Sequence, residues 1–213
     1  MRGGHHPRRL RLFQSDFLER WTLISPRGFA VIWGFLLVLI LWAGWGTVSP
    51  LTWVGLVAAG LLAWSLFEYV MHRYLFHLEL ASPWGRRMGF LMHGNHHVDP
   101  GDPYRNIMPP IISVTWAGLL WVGFWLVLGR AGTVMFLGFI MGYVAYDTVH
   151  YACHQSRSRS PLIRALRRHH LRHHYSPVKG NYAITTIFWD KLFGSYIPSK
   201  GGPATPADPR TAP

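Results

Sequence analysis

Apolar residues fall in four long runs, paired two and two, and after each pair the chain turns polar, basic and rich in histidine. The first run extends from Phe29 to about Val48 and the second from Leu51 to about Met71, with the T-V-S-P turn at Thr47 to Pro50 between them. The third, Ile111 to Leu128, and the fourth, Val134 to about Tyr151, are separated by G-R-A-G-T at Gly129 to Thr133. A helix of about 20 residues crosses the hydrocarbon core of a bilayer. The pattern therefore predicts an all-α integral membrane protein with four transmembrane helices arranged as two hairpins. Trp42 and Trp45 stand at the far end of the first run as interface anchors, and F-L-E-R-W before it predicts an interfacial helix.

Composition agrees. The 213 residues are 50 % apolar and 14 % charged, which suits one membrane domain over residues 29–200. Residues 1–28 read as a basic tail with the interfacial helix, and 201–213 as a disordered Pro/Ala tail. A formal charge of +12 raises the possibility of nucleic acid, but the placement of the charges argues for a membrane. Six Arg precede the first run, four lie from Arg73 to Arg105, ten Lys/Arg lie from Arg157 onward, and the other connections hold only Arg130. That asymmetry predicts both termini and the central loop on the cytoplasmic face of a bacterial inner membrane or an ER membrane. The partner of the basic surface is then the bilayer's anionic headgroups, with no nucleic acid. The apolar run from Phe29 is too long for a signal-peptide core and reads as an uncleaved anchor. The single cysteine, Cys153, allows no internal disulfide and reads as a small buried hydrophobe.

The polar stretches carry ten of the thirteen histidines in four clusters: His72 and His77; His93, His96 and His97; His150 and His154; His170, His173 and His174. On a helix, residues four apart differ by about 40° and residues three apart by about 60°, so each of the last three clusters presents its rings on one face. His72 and His77 are five apart, about 140°, and converge only if the helix ends, bends or carries a π-bulge there. Ten imidazoles exceed the capacity of one ion but suit two ions with about five nitrogens each, held in a cytosolic helical cap over the spans. Nitrogen-rich ligation suits iron, zinc or copper. His169, pointing about 100° from His170, leaves a supporting role, a phosphate-facing role and plain exposure open. His5 and His6 lie in the basic tail.

Two carboxylates accompany the clusters. Glu68 precedes His72 by four residues and Asp147 precedes His150 by three, which makes each a candidate to accept a hydrogen bond from a ligand ring. H-E-x-x-H, G-x-S-x-G and a phosphate loop are absent, so hydrolysis by those routes has no support. No catalytic side chain is indicated beyond the histidines. A lipid-facing site without a nucleophile favours oxidation by two iron ions and O2, although zinc would bind as readily.

The clusters and their surroundings resemble the fatty acid hydroxylase superfamily of membrane histidine-box di-iron oxygenases, most closely its fatty acid and sphingolipid 2-hydroxylases. The likeness lies in E-Y-V-M-H-R-Y-L-F-H from Glu68, M-H-G-N-H-H-V-D-P-G-D-P-Y-R-N-I-M-P-P from Met92, Y-D-T-V-H-Y-A-C-H from Tyr146, H-H-L-R-H-H-Y from His169 and W-D-K-L-F from Trp189. The resemblance implies a monooxygenase of lipid metabolism that places a hydroxyl on carbon 2 of a fatty acyl chain, free or in a sphingolipid. It implies one metal on His72, His77, His93, His97 and His173 and the other on His96, His150, His154, His170 and His174. It also implies Asp102, Arg105 and Tyr182 as contacts to the lipid's polar head. The short N-terminal tail lacks a fused haem domain, so the reading expects a separate electron-donor protein of cytochrome or ferredoxin type. Two rivals remain. One is a sterol, carotenoid or other lipid hydroxylase or desaturase of the same histidine-box class; the other is a non-catalytic membrane zinc-binding protein or metal carrier.

Overall fold

The computed structural model describes residues 10–199. The tail expected from Gly201, the first nine residues and the histidines among them lie outside the described residues. Among the described residues the fold is all helical. Four helices are long and apolar enough to cross a membrane: α2 (Pro26–Gly44), α3 (Pro50–Val70), α6 (Pro110–Leu128) and α7 (Arg130–Gln155). They form the two expected hairpins. Short helices α1 (Asp16–Arg20), α4 (Pro83–Gly89), α5 (Asn95–Val98), α8 (Pro161–Tyr175) and α9 (Phe188–Leu192) make up the remainder.

Local chemistry sets the starts. Ser25, Ser49 and Ser82 each stand at the N-cap in extended backbone, with the hydroxyl accepting from an N–H in the first turn and proline following inside the helix. The second hairpin turn is shorter than G-R-A-G-T suggests. Gly129 alone, at φ 58°, reverses the chain, and α7 begins at once with Arg130.

Length positions the site. At 1.5 Å per residue α2 and α6 span about 28 Å, close to the hydrocarbon thickness. The continuous helix from Pro50 to Phe76 has 27 residues and α7 has 26, giving about 40 Å. The two long helices thus overshoot the bilayer by about 10 Å, and the overshoot carries His72 and His77 on one and His150 and His154 on the other. The cap is the projecting end of the membrane bundle.

Helix α7 is the axis, buried along most of its length, while α6 turns most of its surface outward as a lipid-facing helix does. Close approach to α3 comes from glycine. A Cβ on Gly60 would stand 2.0 Å from the Met135 carbonyl oxygen, and one on Gly138 2.1 Å from that of Val57. Small residues that let backbones touch are the usual basis of helix association in lipid. Trp33 and Trp64 flank Tyr143 of α7 edge-on, with ring centroids 4.9 and 5.4 Å away. Cys153 is fully buried on α7. Arg105 pairs with Glu19 and the Ile24 N–H donates to the Tyr104 carbonyl at 3.1 Å, so the interfacial segment is tied to the central loop.

Candidate metal centre

The helix that carries His72 changes pitch where the five-residue step demands it. Residues Met71–Phe76 form a π-helical turn, and His77 caps it. Bonding i to i+5 brings a residue back over the one five before it, and His77 Nε2 lies 3.3 Å from His72 Nε2. A second π-helical turn, Phe90–Gly94, leads into α5 and sets His93 Nε2 3.0 Å from His97 Nε2. The α7 overshoot supplies His150 and His154, and α8 supplies the last three rings.

One candidate nitrogen from each ring falls into two groups of five, all within 4.8 Å of one another in each group. His72, His77, His93, His97 and His173 form the first, and His96, His150, His154, His170 and His174 the second. This is the division that the resemblance implies. It differs from the simple picture of clusters sharing a face. His96 turns away from His93 and His97, and His173 turns away from His170 and His174. Rings at i+3 and i+4 fan to opposite sides of ring i, about 100° apart, so one helix contributes to both groups.

The donor set fits cations better than hydrogen bonds. His72, His150 and His173 give Nδ1–H to the backbone carbonyls of Tyr182, Asn106 and Gly180, the last two at 2.9 and 2.8 Å. A carbonyl only accepts, so the Nε2 of each of these rings carries a lone pair. Yet His72 Nε2 is 3.0 Å from that of His93, His173 Nε2 is 3.1 Å from that of His77 and 3.2 Å from that of His97, and His150 Nε2 is 2.9 Å from that of His96. A neutral imidazole has one N–H; once His93 and His97 give theirs to His72 and His173, their own Nε2 atoms, 3.0 Å apart, have no lone pair between them. Nitrogens at right angles around a metal, at bonds of about 2.1 Å, stand about 3 Å apart.

Electrostatics prepare the rings. Burial first, then the neighbouring rings, hold His93, His96 and His170 well below the ordinary imidazole range. Burial and the charge of His173 bring His77 to about 4, and burial with His173 and His77 brings His97 to about 3. The rings outside the spans are therefore neutral at physiological pH, as ligands must be.

The fatty acid hydroxylase family model matches residues 57–195, which contain every one of these rings. The chain belongs to the fatty acid hydroxylase family. It is 35 % identical over 200 residues to the dihydroceramide fatty acyl 2-hydroxylase FAH1 of Arabidopsis thaliana, covering 89 % of this chain and 81 % of that protein. It is 42 % identical over 143 residues to the ceramide very long chain fatty acid hydroxylase scs7 of Schizosaccharomyces pombe, covering 65 % of this chain and 41 % of that one. Among solved structures, full-length scs7p with its hydroxylase domain visible is similar at a TM-score of 0.80 and 32 % identity, over 86 % of this chain and 70 % of that chain.

The supporting residues of this fatty acid hydroxylase lie differently from the direct carboxylate-to-ring bonds expected. Glu68 makes no hydrogen bond to His72. Its Oε1 accepts from the Ile184 N–H, the Thr185 N–H and the Thr185 hydroxyl at 3.2, 3.0 and 2.7 Å, and its Oε2 from the Trp64 indole at 3.2 Å. Asp147 likewise accepts from the Met108 N–H at 3.3 Å, while His150 donates to Asn106. Helix spacing put each carboxylate on the right face, but the nearer donors are loop amides. Asp102 and Arg105 are buried; Arg105 pairs with Glu19 and lies 3.4 Å from Asp102, and Asp102 also accepts from the Tyr104 N–H. Tyr182 sits at the first group, its ring centroid 5.5 to 5.9 Å from those of His72, His77 and His173.

Sequence reasoning assigned no role to Asp190. Fully buried, it accepts from His169 Nε2 at 2.9 Å, from the Tyr182 and Ala183 N–H groups at 2.8 and 2.9 Å, and from the Ser195 hydroxyl at 2.8 Å. The clue was one acid in the I-F-W-D-K-L-F stretch, where every residue but Asp190 and Lys191 is apolar. His169 is buried against it, which excludes plain exposure.

Proposed function

We propose that this chain is a di-iron monooxygenase that hydroxylates carbon 2 of a fatty acyl chain, free or in a ceramide-type lipid. One observation carries the reading: two adjoining sets of five imidazole nitrogens at the head of an apolar four-helix bundle, in a chain related to fatty acid and dihydroceramide 2-hydroxylases. The ten histidines hold the two irons. When bound, such a pair of ions supplies O2 activation, with two external electrons, to put one oxygen atom into a C–H bond and the other into water.

The protein's own part is to present the acyl chain and keep water away. A cleft of about 650 Å³ lies beside the first group, lined by Phe76, Leu78, Leu80 and Phe90, with His77, His93 and His97 also on its wall. Its size suits a single hydrocarbon chain, with Glu79 and Arg86 also on its wall. Leu78 and Leu80 on its wall are exposed, directly after the second span, which supports entry of a lipid from the bilayer. Tyr182, with its ring against His72, His77 and His173, is the candidate contact for the polar head. The ten Lys/Arg from Arg157 onward support placing the cap on the cytoplasmic side, where Arg157, Arg159, Arg164 and Arg168, all exposed, receive an acidic electron-donor protein.

Expression in a host without 2-hydroxy lipids tests the reading. Under ¹⁸O₂, mass spectrometry should find 2-hydroxy acyl chains carrying one ¹⁸O, only in cells with the protein. New double bonds or hydroxylated isoprenoids in their place would reject it.

A further inference from the structure

The segment between α8 and α9 is held through its backbone at both its carbonyls and its amides. Its Gly180 carbonyl accepts from His173 and its Tyr182 carbonyl from His72, so two rings of the first group take their orientation from it. The backbone that bears those carbonyls is fixed by two buried acids. Asp190 takes the N–H groups of Tyr182 and Ala183, and Glu68 takes those of Ile184 and Thr185. Asn181, at φ 56°, closes the turn with its N–H on the Ser195 carbonyl at 2.8 Å. Four successive amides thus end on carboxylates, in a loop that has no helix or strand ladder to rigidify it.

Among the described residues no hydrogen bond joins this strap to a ring of the second group, although the Asn181 side-chain amide donates to the His169 carbonyl at 3.0 Å, on the α8 backbone beside His170. The ring contacts of Tyr182 to histidine involve His72, His77 and His173 and none of the other five. The second group has its own, lighter support: His150 on the Asn106 carbonyl, with Asp147 on the Met108 N–H two residues on. The Nδ1 atoms of His96, His170 and His174 are buried without a hydrogen-bond partner among the described residues. Asp190 also meets His169, next to His170, but α8 is a 15-residue helix whose own bonding holds His170 in place.

We propose that the Gly180–Thr185 strap is a clip dedicated to one of the two metal positions, with Asp190 and Glu68 as its positioning residues, so that the two ions are held and lost independently. The proposal rests on the dinuclear reading above. Orientation of a ligand ring by its outer hydrogen bond is typically worth 10- to 100-fold in metal affinity, and here that effect falls on one ion alone.

The test is zinc release from the detergent-purified full chain into a chromophoric chelator, with zinc per chain measured first. Asp190→Asn places an amide NH₂ among N–H donors and should speed the loss of one ion by about 10- to 100-fold while the other leaves at the native rate. Thr185→Val removes only the hydroxyl bond to Glu68, should act on the same ion more weakly, and carries the test if the buried variant does not accumulate. Asp147→Asn should speed the other ion, and the Asp190→Asn, Asp147→Asn double variant both. Parallel acceleration of both ions by Asp190→Asn or Thr185→Val, or of neither, overturns the clip, because general loosening of the fold would affect both groups together. A native chain that binds fewer than two zinc ions overturns the dinuclear reading and the clip with it, and is seen before any variant is compared.

Discussion

Glu68 reaches His72 only through the backbone: the acid grips the amides of Ile184 and Thr185, and the ring donates to the carbonyl of Tyr182 just upstream. The carboxylate meets donors on both oxygens, since Oε2 takes the Trp64 indole. A glutamine presents one acceptor and one donor, so Glu68→Gln must oppose N–H to N–H at one end. Retention of metal against a chelator should fall by roughly 10- to 100-fold, and unchanged retention would count against the strap as the route of support.

The rings that face both ways along α5 and α8 supply a sharper test of the centre. His96 and His174 belong to the second group, with Nε2 atoms 3.1 Å apart. His96→Ala or His174→Ala should abolish formation of 2-hydroxy acyl product and lower metal content, read by mass spectrometry of lipids and elemental analysis. Full activity in either variant would falsify the two-ion assignment.

Much of this was legible because ring spacing is dictated by helix geometry. The five-residue step from His72 to His77 cannot bring two rings together on a regular α-helix, and a π-helical turn is there. The hairpins followed from the apolar runs, since lipid imposes its thickness on any helix that crosses it. What stayed hidden is carried by backbone. No side-chain pattern announces that the carbonyls of Asn106, Gly180 and Tyr182 accept from histidine rings, and helix spacing alone points the buried acids at rings when they hold loops. Asp190 escaped for the same reason, as its partners are two amides, a hydroxyl and His169.

Shape can be separated from metal at the cleft. A Cβ on Gly89 would meet only the Leu78 carbonyl oxygen, at an ordinary 3.6 Å. Gly89 lines the cleft, so Gly89→Leu adds apolar bulk there from a Cβ that has room. Turnover of long acyl chains should fall by about tenfold or more, as one added side chain in an apolar pocket is worth about 1–3 kcal/mol, with metal content unchanged. Normal turnover of long chains by a metal-replete variant would place the acyl path elsewhere.

The interfacial segment carries a pH dependence. Burial works to raise the Glu19 carboxyl, but the Phe13 N–H, the Arg105 guanidinium and the Leu12 N–H outweigh it and hold the group below its ordinary 4.5. A depressed carboxyl stabilises the docked state above the ordinary value, and that stability is lost as pH falls through the shifted one. Protection of the amides of residues 12–19, relative to the unfolded-chain exchange rate at the same pH, should fall in that acid window, and Glu19→Gln should show the lowered protection already at neutral pH. Protection in this segment that ignores both pH and the variant would detach Glu19 from its role as the tie to the central loop.

Electron delivery can be told apart from lipid binding on α8. Arg167 donates to the Ser156 carbonyl at 2.9 Å and is occupied within the fold, whereas Arg164 and Arg168 project outward. Reversing both, Arg164→Glu with Arg168→Glu, repels an acidic donor while leaving the ten histidines and the cleft untouched. Turnover driven by a reduced donor protein should drop severalfold at low salt and recover little with added donor, whereas peroxide-driven turnover should match the native enzyme, because it needs no docked partner. The native donor-driven rate should itself fall as ionic strength rises and the Debye length shortens from about 30 Å at 0.01 M to about 10 Å at 0.1 M. Equal losses in the donor and peroxide assays would mean that these arginines shape the site or its lipid access, and the docking surface would have to be sought on another face of the cap.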